Sequence, residues 1–289
     1  LIFDRSSMEI RNAQARLWGV ELAKVNGGIR ELHHPVLKLE GQARGPLADM
    51  LRFVNGSPVG GWIGHSLREA TAGGTSDLKL ALELPFEDLA RSTAQGSLVL
   101  GGNDLRIGGS TPQLAGAKAR VNFTQNSIAV AGGSARVLGG DAVFEGGTQS
   151  DGSLRFTASG VASAEALRRA GELGMVSRLA GFASGQAPYR LSVGFVGGHG
   201  ELTLASSLSG LGLDLPAPLR KPAEAAWPLR LETRLAPDGK RDSVRFELGN
   251  VITAQYQREW SSDAAPTVLR GAVGVLEPLP PMPERGVHA

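Results

Sequence analysis

Along most of the chain, apolar and polar residues take alternate places. The clearest run is Asp77-Leu78-Lys79-Leu80-Ala81-Leu82-Glu83-Leu84, with a leucine at every second position until Pro85. Successive side chains of a β-strand point to opposite faces of its sheet, so this period of two predicts a strand with one apolar face. The pattern recurs at Met8/Ile10, Leu37/Leu39, Leu98/Leu100, Leu105/Ile107, Ala119/Val121/Phe123, Ile128/Val130, Leu154/Phe156/Ala158, Leu191/Val193/Phe195, Leu202/Leu204, Leu229/Leu231 and Val244/Phe246/Leu248. Between the runs lie Gly27-Gly28, Gly73-Gly74, Gly101-Gly102-Asn103-Asp104, Gly132-Gly133, Gly139-Gly140-Asp141, Ser150-Asp151-Gly152 and Pro237-Asp238-Gly239. Read as hairpin turns, they predict a meandering antiparallel sheet, because parallel strands need long crossovers that the sequence mostly lacks.

One segment has a different period. Ser163 can cap a helix, Glu165 suits its first turn, and Leu167, Ala170, Leu173, Val176 and Leu179 follow at helical spacing up to Gly181. This predicts an amphipathic helix over 163–181, weakened by Gly171 and Gly174. A shorter helix is expected from Pro46 to Phe53, where Leu47, Met50 and Leu51 share a face. One helix of about five turns cannot cover about a dozen strands that each carry an apolar face. Either two halves of the sheet pack as a closed β-sandwich, or the sheet curls and leaves a groove for an apolar ligand. Periodicity leaves both open.

Composition narrows the class. The 289 residues are 42% hydrophobic, enough to bury a sizeable apolar surface, but only 5% aromatic with 40 glycines, which favours many short strands and turns over one dense core. Absence of cysteine excludes disulfides, thiolate metal sites and a cysteine nucleophile. The net charge is +2 and no lysine or arginine cluster could track phosphates, which argues against nucleic acid as a partner. Leu1-Ile2-Phe3 already reads as strand, without an initiating Met or a signal peptide, so a fragment of a longer protein is expected. No stretch approaches the length of a membrane-spanning helix.

No motif has the spacing of a catalytic or metal site. Adjacent His33 and His34 would face opposite sides of a strand, and His65, His199 and His288 stand alone. Gly132-Gly133-Ser134 and Gly108-Gly109-Ser110 do not complete a nucleophile elbow. Gly210-Leu211-Gly212 lacks the third glycine of a dinucleotide fingerprint, and Gly197-Gly198-His199-Gly200 fits a hairpin. Glu87-Asp88 is the most compact acidic pair and reads as a solvated strand end. No enzyme activity, catalytic residue, metal or cofactor is therefore expected.

Several blocks carry a family resemblance, in family order across most of the chain. Leu51-Arg52-Phe53-Val54-Asn55-Gly56-Ser57-Pro58-Val59 and the later Leu78-to-Pro85 run are similar to consecutive segments of YhdP-type AsmA-like proteins. The strongest match runs from Leu208 through Leu215-Pro216-Ala217-Pro218-Leu219-Arg220-Lys221-Pro222 to Trp227-Pro228-Leu229. Gly139-Gly140 and the helix start Ser163-Ala164-Glu165-Ala166-Leu167 add two weaker echoes, and Arg220 departs from the small residue expected before the lysine. The prolines of the long block also predict a rigid loop.

The resemblance implies a mainly β fold, a long curled antiparallel sheet with an apolar concave face and one amphipathic helix. It further implies a periplasmic body whose parent chain is anchored in the inner membrane of a diderm bacterium and moves phospholipid toward the outer membrane. This chain would be a single β-rich segment over 1–289, with a proline-rich end at about 277–289. Membrane contact would come through other parts of the parent. The groove candidates are Leu80, Leu82, Leu98, Leu100, Val121, Phe123, Leu154, Phe156, Val193, Phe195, Leu202, Leu204, Val244 and Phe246. Their partner would be phospholipid or another acyl lipid. The other expectation is a scaffold of the envelope, with a closed β-sandwich core, that binds another envelope protein.

Overall fold

The computed structural model describes residues 1–57, 60–61, 67–109, 111–196, 199–236, 238–261 and 264–288. His65, Ser110, the Pro58-Val59 pair, Gly197-Gly198 and Pro237 lie outside the described residues. Strand makes up 60% of the chain and helix 11%, so the protein is mainly β. It divides into two units, Leu1–Arg136 and Val137–Ala289.

The first unit is a meander. It contains β1 (Ile2–Asp4), β2 (Ser7–Leu17), β3 (Val20–Ile29), β4 (Val36–Pro46), β5 (Thr71–Ala72), β6 (Thr75–Pro85), β7 (Thr93–Arg106), β8 (Leu114–Thr124) and β9 (Ile128–Val137). The strands β1, β2, β3, β4, β6, β7, β8 and β9 pair in that order, each antiparallel to the next, and β5 pairs with the far end of β7. Between β4 and β5 lies α1 (Leu47–Asn55), which buries Leu47 and Met50. Arg52 on α1 stacks over Trp18, 4.5 Å from its ring centre.

The second unit repeats the plan. It contains β10 (Gly140–Thr148), β11 (Leu154–Ser163), β12 (Ala183–Val196), β13 (His199–Ser206), β14 (Leu211–Leu213), β15 (Leu229–Leu235), β16 (Arg241–Leu248), β17 (Ile252–Ser261), β18 (Ala264–Val275) and β19 (Gly286–His288). The order of pairing is β10, β11, β12, β13, β15, β16, β17, β18, with β14 on the first part of β12. Against the expectation of a purely antiparallel sheet, β19 joins β18 in parallel, after a connection that carries Pro278, Pro280, Pro281 and Pro283.

Three of the glycine breaks expected as turns lie inside strands. Gly27 and Gly28 sit in β3 at φ 151° and 155°, where any side chain would run into the backbone of β4 or β2. The true β2–β3 turn is Trp18-Gly19, with Trp18 in the left-handed region at φ 53°. Gly101-Gly102 forms bulges in a continuous β7, and Gly132-Gly133 lies within β9. A bulge and a hairpin demand the same permissive glycines, and composition alone does not separate them.

The expected helix over 163–181 is also broken. It starts where predicted, with the Ser163 hydroxyl accepting from the Ala166 N–H at 3.2 Å, and runs as α2 (Ala164–Arg169). A 3-10 turn follows at Gly171–Leu173, then Gly174 at φ 57° redirects the chain into α3 (Met175–Leu179). Met175, Val176, Leu179 and Phe182 in this segment are all exposed.

The buried apolar residues are mostly alanines, and the largest side chains less than 2% exposed are Lys221, Asn103 and Ser76. No closed core of large residues forms among the described residues. The accessible surface is 17618 Å² for a mass of 30.1 kDa. Two compact globules sharing that mass would expose only about 14,000 Å². Folding of each strand into a sheet satisfies its backbone but leaves apolar area uncovered.

Candidate functional site

Strand register aligns the alternating residues into rows. In the first unit Ala15, Leu22, Ala43, Leu78, Leu98, Val121 and Val130 stand opposite one another across seven strands. Beside that row run Ile10, Gly27, Leu39, Leu82 and Ala94, and also Gly41, Leu80, Gly96, Phe123 and Ile128. Leu100 is paired with Ser76 and Ala119 on the same face. The six candidates of this unit, Leu80, Leu82, Leu98, Leu100, Val121 and Phe123, therefore share one side.

The second unit has the same construction. Phe144, Ala158, Leu191, Leu204, Leu231, Phe246, Ala254 and Val273 form a row across eight strands. The adjoining row is Gly146, Phe156, Val193, Leu202, Thr233, Val244, Tyr256 and Gly271, and Leu154 faces Phe195 one step further out. All eight candidates of this unit, Leu154, Phe156, Val193, Phe195, Leu202, Leu204, Val244 and Phe246, lie on one face.

The reverse faces are polar. Gln42, Lys79, Ser97 and Asn122 make one row there, and Glu145, Thr157, Ser192, Thr203, Glu232, Arg245 and Gln255 another. Lys38–Glu83 at 2.9 Å and Arg44–Asp77 at 3.2 Å are exposed ion pairs on this side. Such pairs contribute about 0–1 kcal/mol each, so the faces differ in solvation more than in binding energy.

Among the candidates only Leu100 and Val244 are buried, at 7% and 3% exposure, and Phe195 is 52% exposed. The others are half-buried. Two closely packed sheets would bury such residues fully, because interiors approach crystal density. The apolar faces thus consist of side chains that touch their neighbours along the sheet and keep their outer surface free. A shallow hollow of about 630 Å³ in the first unit is lined mainly from the polar face, by Lys24, Glu40, Gln42, Lys79 and Gln95, and it contains only Leu80 and Phe123 of the candidates. Its charged rim does not suit hydrocarbon.

Buried polar residues, whose burial the sequence did not indicate, hold the ends of these faces. Asn103 is 1% exposed in the β7 bulge, where its side chain accepts from the Gly101 N–H at 3.1 Å and donates to the carbonyls of Gly73 at 2.9 Å and Thr75 at 3.3 Å. Lys221 is 2% exposed and its ammonium donates to the carbonyls of Leu208, Leu211 and Pro222 at 2.8, 2.7 and 3.1 Å. Burial pushes its pKa below the ordinary lysine value, opposed by Glu224. This lysine pins the proline-rich loop predicted to be rigid. Asp242, 3% exposed, accepts from Arg258 Nε and Nη2 at 2.9 and 2.5 Å and from Trp260 Nε1 at 2.9 Å. Asp242 and Arg258 are cross-strand partners at the edge of the apolar rows, one pair before the end of the β16–β17 ladder.

The residues weighed for catalysis have structural surroundings. His34 Nδ1 lies 3.1 Å from Glu87 in an exposed pair, and the Asp88 side chain caps a 3-10 turn by accepting from the Ala90 N–H at 3.1 Å. Among the described residues no group of three histidine, aspartate or glutamate side chains is placed to hold a metal, and no helix is long and apolar enough to cross a membrane.

Comparison with curated proteins and with solved structures gives no match. A family model described as YhdP protein matches residues 1–289, the whole of the chain. Its length, together with the proline-rich block around Lys221 and the open two-faced sheet, leads to one assignment: the chain belongs to the YhdP protein family.

Proposed function

We propose that the apolar faces of this chain carry the acyl tails of phospholipid between the inner and outer membranes, while head groups stay in water. The chain is then a periplasmic segment of an inner-membrane-anchored protein, and it works without catalysis. Membership of a family associated with the envelope and with lipid transport supports this reading. The observation that carries it is the set of cross-strand apolar rows whose outer surface is left open.

The magnitudes agree. The surface beyond that of two compact globules is about 3,500 Å², of which about 2,000 Å² would be apolar at the usual share. The largest apolar patch of an ordinary monomer is about 300–600 Å². A phospholipid with two chains of about sixteen carbons costs on the order of 20 kcal/mol to expose to water, at ~0.8 kcal/mol per methylene. A continuous hydrocarbon-like surface removes most of that cost along the way. A closed sandwich that binds another protein would instead fill its core, and the half-buried leucines weigh against it.

The fourteen candidates are the residues proposed to touch the tails. Purified protein should yield phospholipid on organic extraction and in native mass spectra. Leu82→Asp and Phe123→Asp should lower the bound lipid about tenfold or more, since a buried carboxylate opposes hydrocarbon, while circular dichroism and the urea midpoint report whether the sheet survives. Lys79→Asp on the polar face should leave the lipid content unchanged. If both apolar-face variants simply unfold, the residues are core and the reading fails.

A further inference from the structure

On the apolar faces, aromatic side chains stand directly opposite glycines. Phe123 is in register with Gly96, Phe156 with Gly146, Tyr189 with Gly160 and Phe195 with Gly200. In three of the pairs a ring atom or its hydroxyl lies over the glycine. A methyl group added at Gly96 would meet Phe123 Cζ at 2.5 Å, as near as the Lys79 carbonyl, whereas one at Gly146 would meet the backbone of Arg155 and Phe156 before Phe156 Cδ1 at 2.9 Å. At Gly160 the Tyr189 hydroxyl would be met at 2.9 Å, together with Ala142 Cβ and the Asp141 carbonyl, and at Gly200 Phe195 Cε1 at 3.4 Å. The outer atoms of the Phe123 and Tyr189 side chains thus occupy the space beside the backbone that a Cβ would take, and the Phe195 ring lies within contact of it, so these rings lean along the sheet instead of standing up from it. Burial of the Tyr189 ring is deep enough to raise its hydroxyl pKa above the ordinary value.

Cross-strand packing of an aromatic on a glycine restores contacts that the glycine lacks. Four such pairs across both units do more than repair local packing. Upright rings would stand as ridges with hollows between them, and a hollow of fixed size binds chain ends of a fixed length.

We propose that these glycine–aromatic pairs level the apolar face and so make it indifferent to acyl-chain length. This rests on the lipid reading above and names its selectivity: the surface accepts straight hydrocarbon of any common length, with no cup that measures a terminus. Phe123, Phe156, Tyr189 and Phe195 are the specificity-determining residues, and their glycines position them.

The Phe195–Gly200 pair offers the cleanest test, because Phe195 is 52% exposed and Gly200 has room for a side chain. Phe195→Ala opens a pit, and Gly200→Val lifts the ring into a ridge. Each purified protein is extracted, and the acyl-chain lengths of its phospholipid are compared with those of the host membrane by mass spectrometry. Wild type should match the membrane distribution. Each variant should shift the ratio of adjacent chain lengths by about fourfold per methylene gained or lost, the factor that corresponds to ~0.8 kcal/mol. A wild type that enriches one length, or variants identical to wild type, overturns the levelling role and leaves the lipid reading standing. Lipid-free protein in all three overturns both.

Discussion

Asn103 and Ser76 are both almost fully buried, yet they have opposite roles. The three hydrogen bonds of Asn103 tie the β7 bulge to the Gly73–Thr75 turn, so Asn103→Ala strands two carbonyls and an N–H. It should destabilise the protein by about 2–3 kcal/mol in urea unfolding. The Ser76 hydroxyl, 1% exposed on the apolar face, has no hydrogen-bond partner among the described residues. Ser76→Ala removes that desolvated group and should be neutral or stabilising by up to about 1 kcal/mol in the same measurement. Neither role was legible in the sequence. Asn103 follows Gly101-Gly102 in a block with the composition of a turn, and only the pairing of β8 and β5 with β7 beyond Leu100 shows that the strand continues.

At the scale of elements, the strands were the most legible part. A period of two reports only which side a residue faces, and hydrogen-bond register then carries that side from strand to strand, so Leu78, Leu98 and Val121 meet although 20 or more residues separate neighbours. The helical segment was legible at its start and not in its course. Ser163 supplies a local capping bond, whereas the break at Gly174 depends on a backbone conformation that periodicity does not encode. Ser163→Ala should cost about 1 kcal/mol, and hydrogen exchange should show faster opening confined to 164–169. Equal protection in the variant would mean that α2 is held by packing of Ala164 against Ala183, Ala187 and Leu211 instead. The parallel β19 was also hidden, because its three residues carry no alternating pattern long enough to read.

For the molecule as a whole, the sequence pattern posed a choice between a closed core and an uncovered face, and burial favours the uncovered face. Large apolar residues on both units remain half-exposed, alanines occupy the buried places, and the total surface exceeds that of compact globules. The face was legible as a list of alternating leucines. Its openness was not, because alternation is identical whether or not a second layer covers it. The polar anchors Asn103, Lys221 and Asp242 lie in a strand bulge, a loop and a strand end, where they stabilise the sheet without crossing its apolar rows.

The most direct test uses a photo-reactive amino acid placed singly along β6 at Lys79, Leu80, Ala81 and Leu82 in cells, followed by detection of phospholipid attached to the protein. Crosslinking should alternate, strong at Leu80 and Leu82 and absent at Lys79 and Ala81, in step with the sheet's two faces. Equal labelling at all four positions, or none at the leucines in a folded protein, would contradict the account.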